Sequence, residues 1–295
     1  MKIQYQKLYD KVMEILLDRG FTEAKAKKAA ENFTDSSLDG FQSHGVNRFP
    51  RFIEMVDQGY IDVDAEAELV DRNGNIEIYD GNLGPGNLNA QLVMGKAIKK
   101  AKKEGIAVIA LKNTNHWMRG GAFGWQAAES GCGAICFTNT LPNLPSWGAK
   151  ECKIGNNPLV MAIPRKEKHI VLDMAVSQYA YGKLDQYAMD DQELPYPGGY
   201  NKEGELTTNP KEILETLRPI PAGYWKGSGL SIMLDLFASL LSNGLDPFLI
   251  GQKEREYALS QLFLVFDMEG KIEEERIEET IESIHSAERV DPDQK

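Results

Sequence analysis

The stretch Gln42-Ser43-His44-Gly45-Val46-Asn47-Arg48 sets an imidazole and a guanidinium four residues apart, beside a glycine. On a helix, positions i and i+4 share a face, so both side chains would reach one small anion. Histidine titrates near neutrality and can give and recover a proton. Arginine clamps a carboxylate through two parallel hydrogen bonds. A general acid beside a carboxylate clamp suits chemistry on a small keto acid or hydroxy acid. The competing reading is a surface helix start with a capping serine and an incidental histidine. Spacing alone leaves both open.

Two later stretches bear on that choice. Asn115-His116-Trp117 follows an apolar run ending at Leu111, and Gly120-Gly121 comes soon after. Sites in α/β proteins gather where strands end, so His116 is either a second site histidine or one satisfied in a loop. In Gly223-Tyr224-Trp225-Lys226-Gly227-Ser228-Gly229, aromatics, a lysine and glycines lead into an apolar helix. Such a helix start can stack a ring and cradle a phosphate; the alternative is a cap with a packed tryptophan. Gly81-Asn82-Leu83-Gly84-Pro85-Gly86-Asn87 does not match G-x-G-x-x-G, and Pro85 lacks an amide donor, so it reads as a turn. There is no P-loop.

These stretches need elements to hold them. Tyr5, Leu8, Val12, Ile15 and Leu16 recur at helical spacing, with Gly20 as a terminal cap. Thr22 is the expected N-cap of an alanine-rich helix reaching Phe33. Phe49, Phe52, Ile53 and Val56 mark a third helix, with Pro50 in its first turn. His44 and Arg48 then fall at or just before a helix N-terminus, where anions are favoured. Strands are expected at 76–79, 106–111, 134–137, 170–174 and 262–266, and a helix at 87–103. This alternation says α/β and, taken alone, favours a parallel sheet. The helix at 228–241 is the most apolar, and Leu230, Met233, Leu236, Phe237 and Leu240 are expected on its buried side. A last helix carries Ile277, Ile281 and Ile284 opposite a glutamate-rich, solvated face.

The chain has 295 residues, 42% hydrophobic and 26% charged, enough for one large domain or two ordinary ones. Its net charge of −11 argues against nucleic acid or anionic membrane as a partner. An acidic protein with an anionic substrate needs a locally basic pocket, so individual arginines and lysines matter. Cys132, Cys136 and Cys152 show no disulfide spacing and fit a reducing, cytoplasmic compartment. Cys132 and Cys136 lack a second pair, so no metal site is expected. Met1-Lys2-Ile3-Gln4-Tyr5 has no apolar signal core, and no later stretch is long enough to span a bilayer. The residues alone point to a soluble α/β enzyme acting on a small anion.

The run Ser43-His44-Gly45-Val46-Asn47-Arg48-Phe49-Pro50-Arg51-Phe52 resembles the signature of the malate/L-lactate dehydrogenase type 2 family. So do Asn115 to Gly121, Pro145-Ser146-Trp147-Gly148-Ala149-Lys150-Glu151-Cys152 and Gly223 to Gly229, in the same order. The resemblance runs from the first helix to about Asp267. It implies an atypical, non-Rossmann NAD-binding domain with a largely antiparallel or mixed sheet, in an α/β (α+β) fold. It also implies a helical domain built from both chain ends, 1–70 joined by 271–295, against an NAD(P)-binding and substrate domain at 71–270, and a homodimer.

By the same resemblance His44 matches the proton donor and Arg48 a carboxylate-binding position. His116 matches a histidine that is the acid/base in some relatives, so the two imidazoles share that expectation. Thr140, the segment His169, Ile170, Val171, Leu172, Asp173, Met174 and Ala175, and the pair Trp225 and Lys226 match cofactor contacts. The implied cofactor is NADH, with NADPH as the alternative. The implied reaction is hydride transfer to the ketone of a 2-oxo acid. Alternatives are a dehydrogenase acting on malate, lactate or ureidoglycolate, and a nicotinamide-binding protein that has lost turnover. Val176 stands where the family pattern has a hydroxyl, and relatives continue past the position of Lys295 into a further cofactor-touching segment.

Overall fold

The computed structural model describes residues 3–166 and 168–290. The chain begins with α1 (Tyr5–Leu17), α2 (Glu23–Leu38), a 3-10 turn (Gln42–His44) and α3 (Phe49–Asp57). Thr22 caps α2 by accepting the Lys25 N–H. Ala26, Ala29, Ala30 and Phe33 follow helical spacing, and all four are buried. Small alanines let α1 and α3 approach closely, and Phe33 meets Phe49 and Phe52 at ring separations of 5.0 and 5.2 Å. Each such ring contributes roughly 1.5–3 kcal/mol through burial. These helices share one core with Leu16, Phe21, Ile53, Ile61 and, from farther along, Met118.

Next come β1 (Glu68–Asn73), β2 (Ile76–Asp80), α4 (Gly86–Glu104), β3 (Ile106–Thr114), α5 (Gly121–Glu129) and β4 (Cys132–Thr138). A short pair, β5 (Leu144–Pro145) and β6 (Cys152–Ile154), precedes β7 (Leu159–Ile163) and β8 (Ile170–Met174). Then follow α6 (Tyr181–Met189), the pair β9 (Gly199–Tyr200) and β10 (Leu206–Thr207), and α7 (Pro210–Thr216). The described chain closes with α8 (Trp225–Ser242), α9 (Pro247–Gly251), β11 (Leu259–Asp267) and α10 (Glu274–His285).

Seven strands form one mixed sheet in the order β1-β2-β3-β11-β4-β7-β8. Only β2 and β3, joined through α4, run parallel; every other neighbouring pair is antiparallel. The family resemblance implied this, and the parallel sheet favoured by alternation alone is corrected. The reason is β11: it arrives last and inserts between β3 and β4, antiparallel to both. Short links such as β1–β2 and β7–β8 also permit only antiparallel pairing. Along β3, Ile109 and Leu111 face the core under α4 and α5, while Ala110 faces α8. Val176 is sealed in that second core beside Phe137 and Leu262, so its position has no free surface on which a hydroxyl would meet a ligand.

Helix α8 reverses its expected orientation. Met233 and Phe237 are each 50% exposed and Leu240 74%, and Leu230 and Leu236 also face outward. The buried face instead carries Gly227, Ser228, Ser231, Leu234, Asp235, Ala238, Ser239 and Ser242. Small residues let the helix lie close to the sheet, and the serine hydroxyls satisfy themselves on backbone carbonyls. Helix α10 makes ion pairs through Glu274 and Glu278 with Arg165 of the β7–β8 link. Among the described residues its side-chain hydrogen bonds and ion pairs to other elements go to Arg165 and Lys166. Residues 1–2 and 291–295 of the expected helical domain lie outside the described residues.

Candidate active site

His44 and Arg48 do not share one α-helix. The 3-10 turn ends at Gly45, and Arg48 is the residue preceding α3, with Pro50 in the first helical turn. A side chain on Gly45 would collide with α2, its Cβ only 2.1 Å from the Ser37 hydroxyl. That hydroxyl instead accepts the Val46 N–H at 2.8 Å. The loop is thereby pinned to α2, and a kink replaces the i, i+4 geometry. The two side chains still converge.

His116 enters from the end of β3. Its neighbour Asn115 donates to the backbone oxygens of Tyr60 and Leu83 at 3.0 and 2.8 Å, tying this strand end to the helical unit. The His116 Nδ1 accepts the Met118 N–H at 2.9 Å. Met118 adopts φ +64°, a strained conformation for a side chain of that size. The strain aims an amide at Nδ1, so the ring proton sits on Nε2. A second proton would set two N–H groups against each other, so this contact keeps His116 neutral. Its ring stacks against that of His44, with centroids 5.7 Å apart and planes 16° from parallel.

Electrostatics separates the two rings further. Burial, then Arg48 and Arg119, lowers the His44 pKa to about 4. Burial, then Arg48, His44 and Arg51, holds His116 well below its ordinary value. Both imidazoles are therefore neutral at pH 7 in this arrangement. Arg119 pairs with Asp39 and lies over the Phe41 ring, 4.0 Å from its centroid. A cavity of about 20 Å³ is bordered by Arg48, Arg51, Asn115, His116 and Glu256. Phe52, Met55, Ile61 and Met118 complete its lining, so two guanidiniums and one carboxylate meet at an otherwise largely apolar wall.

The residues expected at a cofactor form a connected wall. Thr140 is buried, its hydroxyl set against the side-chain oxygens of Asn156 and Asn157. Asn156 accepts the Val176 N–H, and Val176 in turn accepts the Ala222 N–H. This joins the end of the His169–Ala175 segment to the turn that carries Trp225 and Lys226. Within that segment His169 accepts the Arg165 N–H, and Ile170 and Leu172 stand exposed. Asp173 accepts the first N–H of α5 from Gly121, which links β8 to the His116 loop. Trp225 is 68% exposed, with the Lys226 amine 6.0 Å from its ring. Among the described residues no hydrogen bond or ring contact joins Trp225 or Lys226 directly to His44 or His116.

The wall fits a nicotinamide dinucleotide. An exposed indole can carry a ring. The lysine, at the positive end of an eighteen-residue helix, can carry phosphate. Among the described residues no group of three His, Cys, Asp or Glu side chains could hold a metal ion.

A profile of the malate/L-lactate dehydrogenase family matches residues 3–295. The chain belongs to the malate/L-lactate dehydrogenase family. This family is one of nicotinamide-dependent dehydrogenases. The 2,3-diketo-L-gulonate reductase of Haemophilus influenzae is 43% identical, covering 100% of this chain and 90% of the relative. Malate dehydrogenase from Pyrococcus horikoshii superposes with a TM-score of 0.87 at 28% identity, covering 100% of this chain and 84% of that one. Sulfolactate dehydrogenase from Methanocaldococcus jannaschii gives 0.86 at 28% identity, covering 99% and 86%.

Three residues near these sites escaped the sequence reading. Arg51 was quoted only within the family signature, yet it borders the anion cavity. Glu256 borders it from a segment with no motif. Asp235 was hidden inside an apolar helix. It lies opposite the apolar stripe and so read as solvent-facing, and spacing gave no signal for it.

Proposed function

We propose that this malate/L-lactate dehydrogenase family member reduces the ketone of a 2-oxo acid with NADH, most specifically 2,3-diketo-L-gulonate to 3-keto-L-gulonate. The observation that carries the reading is that Arg48 and His116, from separate elements, border one cavity while the His44 ring stacks 5.7 Å from that of His116. The relatives named above supply the substrate class. NADPH is the alternative cofactor.

When bound, the nicotinamide supplies the hydride that adds to the ketone carbon. Arg48 grips the substrate carboxylate and so fixes which ketone face is presented. Positioning of this kind can supply about 7–11 kcal/mol of the barrier. Neutral His116 donates its Nε2–H to the ketone oxygen as negative charge develops there. His44 delivers the proton. A carboxylate against Arg48 offsets one of the cations that hold the His44 pKa down, so substrate arrival itself raises the proton affinity of this ring.

The same site runs in the opposite direction on a 2-hydroxy acid. The low His44 pKa favours this second reading in one respect, because a neutral imidazole is ready to accept the hydroxyl proton at pH 7. We assign the chain to a homodimer in which a second copy covers the outward apolar face of α8, and to a reducing cytoplasmic compartment consistent with three free cysteines. No helix among the described residues is long and apolar enough to cross a membrane.

A panel of 2-oxo acids that includes 2,3-diketo-L-gulonate, followed by loss of NADH or NADPH absorbance, tests the reading. Preferred turnover of the diketo acid with NADH is expected. NADH binding without turnover of any oxo or hydroxy acid would contradict it.

A further inference from the structure

We propose that Glu256 is a positioning residue that orients Arg48 toward the substrate carboxylate and ties it to the cofactor-side backbone. The inference rests on the reading of Arg48 as the carboxylate clamp.

Three observations carry it. First, Glu256 occupies an unusual place. Its side chain is only 7% exposed, and it borders the cavity shared by Arg48, Arg51, Asn115 and His116. A buried carboxylate is costly unless paired, and among the described residues its ion contact is with Arg48, Oε1 to Nη2, at 3.9 Å. Second, its other oxygen accepts the Leu141 N–H at 3.3 Å, next to Thr140. One carboxylate thus spans the gap between the substrate clamp and the cofactor wall. Third, the segment around it is anchored on the helical unit. Arg255 pairs with Glu54 of α3 at 2.8 Å, and the Tyr257 ring packs 5.0 Å from Tyr60. The segment leads directly into β11, the central strand that lies between β4 and β3, whose end leads into His116.

The separation of 3.9 Å is long for a hydrogen-bonded ion pair and short enough for strong attraction. Glu256 therefore steers the guanidinium without occupying its fork, and leaves donors free for two parallel bonds to a substrate carboxylate. A full ion pair at this point would compete with the substrate. Without an anion here, the guanidinium is pushed away by Arg51 and has nothing to fix its plane.

Glu256→Gln keeps the shape and the acceptor for Leu141 while removing the charge. The expected result is a kcat for 2-oxo acid reduction about tenfold lower. The KM changes little, because the attraction of Arg48 for the carboxylate survives and only its orientation is lost. NADH affinity and melting temperature stay near the parent. In an Arg48→Ala background the same substitution has no further effect, since the residue it steers is gone. Glu256→Asp, which keeps the charge but retracts it, serves as the second variant and gives an intermediate loss. An unchanged kcat, or equal losses with and without Arg48, would overturn the proposal. So would a loss confined to melting temperature or NADH binding. A parent enzyme that turns over no 2-oxo acid would instead overturn the functional reading on which this one rests.

Discussion

In α2, Ala26, Ala29, Ala30 and Phe33 face inward and are sealed from solvent, whereas in α8 Met233, Leu236, Phe237 and Leu240 face outward. Both helices follow the same periodicity rule. Spacing states which side chains share a face; it does not state which face the rest of the protein covers. On α2 the apolar stripe is narrow, and the opposite face is charged, so only one orientation buries it. On α8 both faces are uncharged apart from Lys226 and Asp235. The tight fit of small residues against β3, β4 and β11 then decides the orientation. An apolar stripe left outside on a long helix calls for a second surface.

The largest expected effect breaks this comparison open. Leu16 belongs to the sealed helical core and is fully buried. Leu16→Ala should cost about 2–5 kcal/mol of unfolding free energy in a denaturant titration. Leu240→Asp on α8 should leave the fold intact. Sedimentation should then show the dimer lost, at a cost of roughly 2 kcal/mol or more in association. A Leu240→Asp protein that unfolds as readily as the Leu16 variant would erase the contrast.

The inward face of α8 provides the next test. Asp235 is 3% exposed, and its nearest donors, the Asn157 amide and the Gly155 N–H, fall outside good hydrogen-bond geometry to either carboxylate oxygen. Burial pushes its pKa from the usual 3.8 to about 7, and the pull of Asn157 and the Gly155 N–H does not offset this. Below about pH 4 the carboxyl is protonated whether the chain is folded or not, and it contributes no pH dependence. Between about pH 4 and 7 the folded state keeps a proton that the unfolded state releases, so stability falls as pH rises. The full cost, on the order of 4 kcal/mol, is present above pH 7. Asp235→Asn should therefore match the parent at pH 4 and be more stable at pH 8, as read by thermal unfolding at both. Equal stability changes at the two pH values would show that this carboxyl is not the source.

The smallest expected effect sharpens the contrast at the exposed end of α8. Losing one charge-assisted phosphate contact typically costs about 1.5–3 kcal/mol, so Lys226→Ala should weaken NADH binding roughly ten- to a hundredfold. The loss should shrink at high salt, because Lys226 is exposed. Fluorescence titration of both proteins checks it, and unchanged affinity would reduce Trp225-Lys226 to a helix start.

Much of the molecule was legible in the residue order. The strand at 170–174 has the expected bounds, and the helix at 87–103 differs by one residue at each end. His44, Arg48 and His116 were visible because their types are chemically specific and their neighbours are motif-bearing. The place of β11 was not visible, because insertion between β3 and β4 is a long-range event with no local signal. Glu256 was hidden for the same reason: it reaches Arg48 only through that strand's approach. The kink between His44 and Arg48 was missed because the demand on Gly45 comes from Ser37, a contact that spacing does not encode.

The central claim is that His44 carries the proton while His116, locked by the Met118 amide, remains neutral. His44→Ala tests it most directly, with kcat and NADH affinity measured on the same protein. The account predicts a kcat lower by about 10²–10⁴-fold with NADH affinity nearly unchanged, because only proton transfer to the developing alkoxide is lost. A His44→Ala enzyme with a kcat near that of the parent would contradict it and pass the proton to His116.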